Sequence, residues 1–151
     1  MRPIVLLVLL TAACRPADIQ PASEQEVRDF LVEFAADAAT SDADLIARNY
    51  TEDVRILEDG RVADTSRQAV HDAIASFPVQ GSVTLEFEDT RVLPAGPDAA
   101  HVQTLFSQRF EGSDLAFSGA ISMHLVKQGG TWLIARSHTS TSRPRQDFPA
   151  Q

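Results

Sequence analysis

From Ser23 onward the hydrophobic positions of the chain keep first a helical period and then a strand period. Val27, Phe30, Leu31, Phe34, Ala35 and Ala38 recur every three to four residues, which lays one apolar stripe along a helix, and Ser23 with Glu26 forms the S-x-x-E signature of a capped start. A shorter helix is expected from about Asp42 to Asn49, with Leu45, Ile46 and Tyr50 on its apolar side, before DVRIL turns to β-branched, strand-forming residues. In EDGRVAD, Asp59 and Gly60 mark a turn between two short strands. Ser66 then caps a third helix carrying Val70, Ile74 and Phe77, which Pro78 ends. Beyond Gly81 the period becomes two, and SVTLEFEDTRVLP, AAHVQTLFSQRFEG, LAFSGAISMHLVK and TWLIARSHTS follow as long strands separated by Pro, Gly or Asp. Three helices followed by four long strands predict an α+β domain, its helices gathered on the concave face of a curved antiparallel sheet.

The N-terminus follows a different pattern. MRPIVLLVLLTAAC has a basic residue at Arg2, an apolar run from Ile4 to Leu10 and small residues before Cys14, the build of a secretory signal whose apolar run is too short to span a membrane as a helix. TAAC resembles the lipobox of bacterial lipoproteins, with Thr11 standing where that motif usually has Leu. The expectation is a signal peptide over 1–13 and acylation of Cys14, with the plain alternative a signal cut at Ala13 that leaves a free thiol. Cys14 is the only cysteine, and an exported chain would otherwise expose an unpaired thiol in an oxidising compartment. RPADIQPA, with two prolines and little apolar surface, reads as a tether, so that 14–22 links anchor to domain. By its resemblance to Gram-negative lipoproteins, Arg15 after the cysteine implies the periplasmic face of the outer membrane. Residues 143–151, RPRQDFPAQ, are expected to be a disordered tail.

The 151 residues, 44% hydrophobic and 23% charged, suffice for one core, and the domain is placed at 23–142. A net charge of −8 gives no support to a nucleic-acid surface, although an anionic molecule could still bind a locally basic pocket. No glycine-rich phosphate loop or internal repeat occurs, and no cofactor is implied. His71, His101, His124 and His138 lack the spacing that offers two imidazoles to one ion, so no metal site is expected.

The element order, with YTEDVRIL after the second helix and LVKQGGTWLIARSHTS at the end, resembles the SnoaL-like domains of the nuclear transport factor 2-like superfamily. Trp132, His138 and Ser140 in the last strand also resemble the hub domain of calmodulin-dependent kinases. The resemblance implies a cone with a cavity between helices and sheet, occupied in different relatives by isomerase, cyclase or dehydratase chemistry or by a bound ligand, and in others used for assembly. Laid on the ketosteroid isomerases, the base position falls on Glu58. The catalytic tyrosine falls on Phe34 and the second acid near Gly119, so neither oxyanion donor is present, and each such donor is worth about 3 to 4 kcal/mol. The resemblance to the kinase hub puts Ser122 where that family has a ligand-contacting arginine.

The candidate site residues are therefore Glu58 as a general base, and Tyr50, Arg109, Ser122 and His138 as ligand contacts. Each has a structural alternative: a solvated carboxylate, a packing phenol, a solvated strand arginine, a ladder hydroxyl and an interface histidine. Strict alternation puts Trp132, Ile134, Arg136, His138 and Ser140 on one face and Leu133, Ala135, Ser137 and Thr139 on the other. The isomerase alignment turns the second set inward and the first set outward, where family dimers pack. A bulge could instead bring His138 in. The expectation is a lipid-anchored protein binding a small, largely apolar molecule in its cone without established catalysis. The alternatives are an isomerase, dehydratase or cyclase using Glu58, and a homodimeric envelope assembly module.

Overall fold

The computed structural model describes residues 20–77 and 81–142. The expected signal peptide, Cys14, most of the tether, Pro78 and the tail at 143–151 lie outside the described residues.

Helix α1 spans Glu24–Ala39, and its cap is the one the sequence specifies: the Ser23 hydroxyl accepts from the Glu26 N–H at 3.4 Å. Glu26 does not complete the reciprocal arm of the capping box. Its carboxylate pairs instead with Lys127 at 2.9 Å, tying α1 to the sheet. Helix α2 is a short turn over Ala43–Ala47 capped by Asp42. Its sequel differs from the helical end expected at Tyr50, because Tyr50 opens strand β1, Tyr50–Glu58, which leads through the Asp59-Gly60 turn into β2, Arg61–Asp64. Asp59 and Gly60 both have positive φ, 46° and 80°, the combination a tight hairpin turn demands. Helix α3, Arg67–Ala75, is capped by Ser66, whose hydroxyl accepts from the Ala69 N–H at 3.1 Å. Strands β3, Val83–Pro94, β4, Ala99–Phe110, β5, Ala116–Gln128, and β6, Thr131–Thr141, then form an antiparallel meander.

The sheet order is β2-β1-β6-β5-β4-β3. Every pairing is antiparallel except β1 with β6, so the sheet is mixed rather than wholly antiparallel. No hairpin links these two strands, and β2, α3 and strands β3 to β5 lie between them in sequence, so turn geometry does not dictate their relative direction. The join is held by the Ile134 N–H to the Asn49 carbonyl at 2.8 Å and by the Asp59 N–H to the Thr139 carbonyl at 3.0 Å.

One core lies between the helices and the sheet. Val27, Phe30, Leu31 and Phe34 of α1 pack on Val92, Ala100, Val102, Met123, Leu125, Trp132 and Ile134. Val54 and Ile56 of β1 pack on Val70 of α3. Burying each large side chain of this kind contributes about 1.5 to 3 kcal/mol. Beneath α1, the buried Asp37 carboxylate accepts from Arg48 at 2.8 Å and from the Asn49 amide at 2.8 Å, which fixes the α1–α2 corner just before Tyr50.

Bulges in β2, β3 and β6, with an irregular stretch of β1 between Tyr50 and Arg55, decide which side chains face the helices. In β2 the pairing steps from Leu57–Val62 to Ile56–Asp64 and leaves Ala63 extra. In β3 one extra residue falls between Glu88 and Arg91, where Asp89 has φ 48°. In β6 the pairing steps from Leu125–Ile134 to His124–Arg136 and leaves Ala135 extra. Each insertion inverts the alternation that follows it.

Candidate functional site

The residues of the helix-covered face follow from the register. Ile134 pairs with Leu125 and Ser137 with Met123, all four buried, so the bulge at Ala135 keeps Trp132, Ile134, Ser137 and Thr139 inside and sends Arg136, His138 and Ser140 outside. Neither strict alternation nor an inward turn of His138 describes the strand. Trp132 and Ile134 are core residues of the inner face, and His138 is exposed on the outer one.

On β1, Ile56 pairs with the inward Ser137 and Glu58 with the inward Thr139, so Glu58 lies on the helix side of the sheet. Opposite β1, the bulge at Ala63 puts Asp64 level with Ile56. Without that extra residue Asp64 would stand across from Arg55 on the other face. The bulge therefore brings a second carboxylate to Glu58. Tyr50 completes the group, packed against both core clusters. Its ring meets Phe34 edge-on with centroids 5.9 Å apart, and Phe34 stacks on Phe87 at 6.4 Å. The phenol absent at position 34 in the isomerase comparison thus stands beside Phe34, at Tyr50.

The electrostatics of the three groups are linked. Burial raises Glu58 above the ordinary carboxylate value, and the charges of Asp64 and Asp59 raise it further. Burial raises Asp64 as well. The Tyr50 phenol is pushed well above its usual value by burial, then by Asp64 and Glu58, which keeps its proton in place at neutral pH. Within the described residues neither carboxylate nor the Tyr50 hydroxyl has an internal hydrogen-bond or ion-pair partner. Two carboxylates of raised affinity for protons, within charge range of a phenol that keeps its own, can accept, hold and return a proton.

The other sequence candidates do not join this group. Arg109, paired with Thr84 and Ala116, is exposed on the outer face. Ser122 and His138 pair with each other there, in an open groove of ≈ 340 Å³. Arg136, His101 and His124 share that groove. Asp64 carries no signal in the sequence, while His101 and His124 stand out there only as metal ligands of unsuitable spacing and Arg136 only as a strand-face residue. Asp64 is concealed by the Ala63 bulge, whereas the two histidines and Arg136 could have been found by carrying outward alternation across β4, β5 and β6. Gly119, at the position of the isomerases' second acid, has no room for a side chain, because a Cβ there would overlap the Ser140 carbonyl. Among the described residues no three His, Cys, Asp or Glu side chains stand close enough to hold a metal ion.

Comparison with known proteins agrees with this architecture. An NTF2-like protein of unknown function from Pseudomonas putida superposes with a TM-score of 0.65 at 16% identity, covering 82% of this chain and 89% of that one. A ketosteroid isomerase-like protein from Erwinia carotovora superposes with a TM-score of 0.61 at 19% identity, over 80% and 96% of the two chains. A protein of unknown function with a cystatin-like fold from Nostoc punctiforme gives a TM-score of 0.68 at 9% identity, over 86% and 98%. At these identities the likeness establishes the fold alone. No curated protein matches in sequence. The family model described as a SnoaL-like domain matches residues 27–144, most of the chain. With its capped helices, six-stranded sheet and helix-covered inner face, the chain belongs to the family of SnoaL-like domains.

Proposed function

We propose that this chain binds a small, largely apolar molecule on the helix side of the sheet beside Tyr50, where the packed core gives way to Glu58 and Asp64. The observation that carries the reading is Tyr50: its ring packs in an aromatic wall with Phe34 and Phe87, while its hydroxyl has no partner within the described residues. A ligand with an apolar body and one acceptor oxygen satisfies both halves of that side chain. Native mass spectrometry of the chain with a panel of neutral aromatic and isoprenoid ketones tests this. Complexes are expected with the parent, and at least tenfold weaker ones with Tyr50→Phe. A panel without a binder, or equal binding by the variant, contradicts the reading.

The raised carboxylates favour a second reading, an enzyme of isomerase, dehydratase or cyclase type in which Glu58 removes a proton next to a carbonyl and Asp64 or Tyr50 supplies one to the oxygen. Deuterium incorporation into cyclic ketones incubated with the chain in heavy water would follow. Glu58→Gln abolishes it if Glu58 is the base. Exchange that survives the substitution removes Glu58 from that role.

The N-terminal segment supports an envelope location through a lipid on Cys14, with the tether holding the domain at the membrane surface. Palmitate labelling of the parent in an expressing bacterium, and none of Cys14→Ser, is the expected result. An unlabelled parent overturns the anchor.

A further inference from the structure

Gln108 is unlike its neighbours on the helix side of the sheet. Strand β4 turns Phe106 and Gln108 to that side, because Phe106 pairs with Phe87 and Gln108 with Leu85, both of which pack against the core. On its other flank Gln108 pairs with Phe117, which meets the buried Phe110 edge-on at 6.0 Å. Phe77, just past the end of α3, stacks on Phe110 at 5.2 Å. A primary amide thus stands in a floor of aromatic and leucine side chains.

The polar side chain that β4 turns inward before it, Thr104, is already bonded: its hydroxyl meets the Glu88 carbonyl at 2.8 Å and the Thr90 hydroxyl at 2.8 Å. The amide of Gln108 offers two donors and an acceptor, yet makes no hydrogen bond within the described residues. The side chain is half-buried, so a guest lying on this floor covers it. A guest that is apolar throughout would leave the amide stranded, which is penalised, and a guest with a polar group at that point would pair it.

The floor is continuous with the site at Tyr50. From Tyr50 the aromatic wall runs through Phe34 to Phe87, and Phe87 lies across from Phe106, the inner neighbour of Gln108. Gly119, across from Phe106 on β5, leaves the floor bare between Ile121 and Phe117. The rows of Glu58 and Gln108 lie about 20 Å apart along the sheet between Cα positions, and the two side chains can close roughly half of that.

We propose that Gln108 is a second polar anchor of the inner site, selecting ligands that carry a hydrogen-bonding group at each end of a rigid apolar body. This rests on the ligand being held at Tyr50 as proposed above. One end is an acceptor oxygen for the Tyr50 hydroxyl, the body lies over the strip at Gly119, and the far hydroxyl or carbonyl pairs with the Gln108 amide.

Two biphenyls that differ only in the far group supply the test, 4-acetylbiphenyl and 4-acetyl-4′-hydroxybiphenyl, with affinities read from the methyl resonances of Leu85 and Ile121. The parent is expected to bind the hydroxylated probe at least fivefold more tightly than the plain one. Gln108→Leu, which completes the apolar floor, abolishes that preference. Tyr50→Phe weakens both probes and keeps their ratio. In the parent, the side-chain amide resonances of Gln108, identified by their absence from the spectrum of Gln108→Leu, move with the hydroxylated probe, a readout that does not require the variant to bind. Equal binding of the two probes by the parent, an unchanged preference in Gln108→Leu, or unmoved amide resonances overturns the role of Gln108 and leaves the site at Tyr50 standing. Failure of both probes to bind, or undiminished binding of both by Tyr50→Phe, overturns the site at Tyr50 and this role with it.

Discussion

The two faces of the last strand part company at one residue. Before and after Ala135 the inner side runs Trp132, Ile134, Ser137, Thr139 and closes the core against α1, while the outer side runs Arg136, His138, Ser140 over an open groove. The inner face gathers carboxylates and a phenol around an aromatic wall, and the outer face gathers cations around hydroxyl and amide groups. A single inserted residue allows one strand to serve both, since the insertion moves the polar half of the strand onto the face opposite the apolar half. Arg136, His138 and Ser140 therefore say nothing about chemistry inside the cone, and the candidate acid–base residues come from the strand beside it and from the hairpin at its end.

The comparison predicts a steep contrast in stability. Ile134→Ala empties a fully buried position and is expected to cost about 3 kcal/mol in urea unfolding. Asp37→Ala leaves the Asn49 amide and the Arg48 guanidinium without their acceptor at the corner that delivers Tyr50. A loss of about 2 kcal/mol is expected, less than a wholly buried pair would give because Arg48 is itself exposed to solvent.

A third prediction concerns pH. The folded chain raises Glu58 and Asp64, so it still holds protons that the unfolded chain releases at the ordinary carboxylate value. Stability contributed by these two groups falls as pH rises through the interval between the ordinary and the raised values, and stays lower above it. Glu58→Gln removes one of the two. In urea melts between pH 4 and pH 7 the variant should lose less stability than the parent over that interval, and an equal loss would mean that Glu58 does not feel the interior. The smallest effect belongs to the open face. Arg136→Ala, two residues from Ile134, is expected to change stability by no more than about 0.5 kcal/mol, and a large loss would place that side chain in the core.

Most of the fold was legible in the sequence for local reasons. The caps at Ser23 and Ser66, the Asp59-Gly60 turn and the four period-two segments each fall where residue chemistry puts them. Two kinds of information were not local. The parallel pairing of β1 with β6 joins segments about eighty residues apart, and no turn residue encodes it. The bulges at Ala63 and Ala135 are insertions whose flanking residues carry no special signature, because alanine fits either side of a pleat. Glu58 could be picked out by alignment, but its partner Asp64 could not, since unbulged pairing would turn Asp64 away from the cone. Tyr50 was legible as a polar-tipped aromatic and not as a strand residue, and its place beside Phe34 depends on the Asp37–Asn49 corner.

The reading of the inner face as the one that takes a ligand is tested most directly by methyl-resolved NMR of the chain titrated with naphthalene-2-carboxamide, a neutral apolar probe. The account predicts saturable shifts of the methyl groups of Leu85, Ile121 and Ile46, which pack at the inner core, with those of Leu57, Leu93 and Leu105 on the open face unmoved. Shifts confined to Leu57, Leu93 and Leu105, or spread equally over both sets, would contradict it.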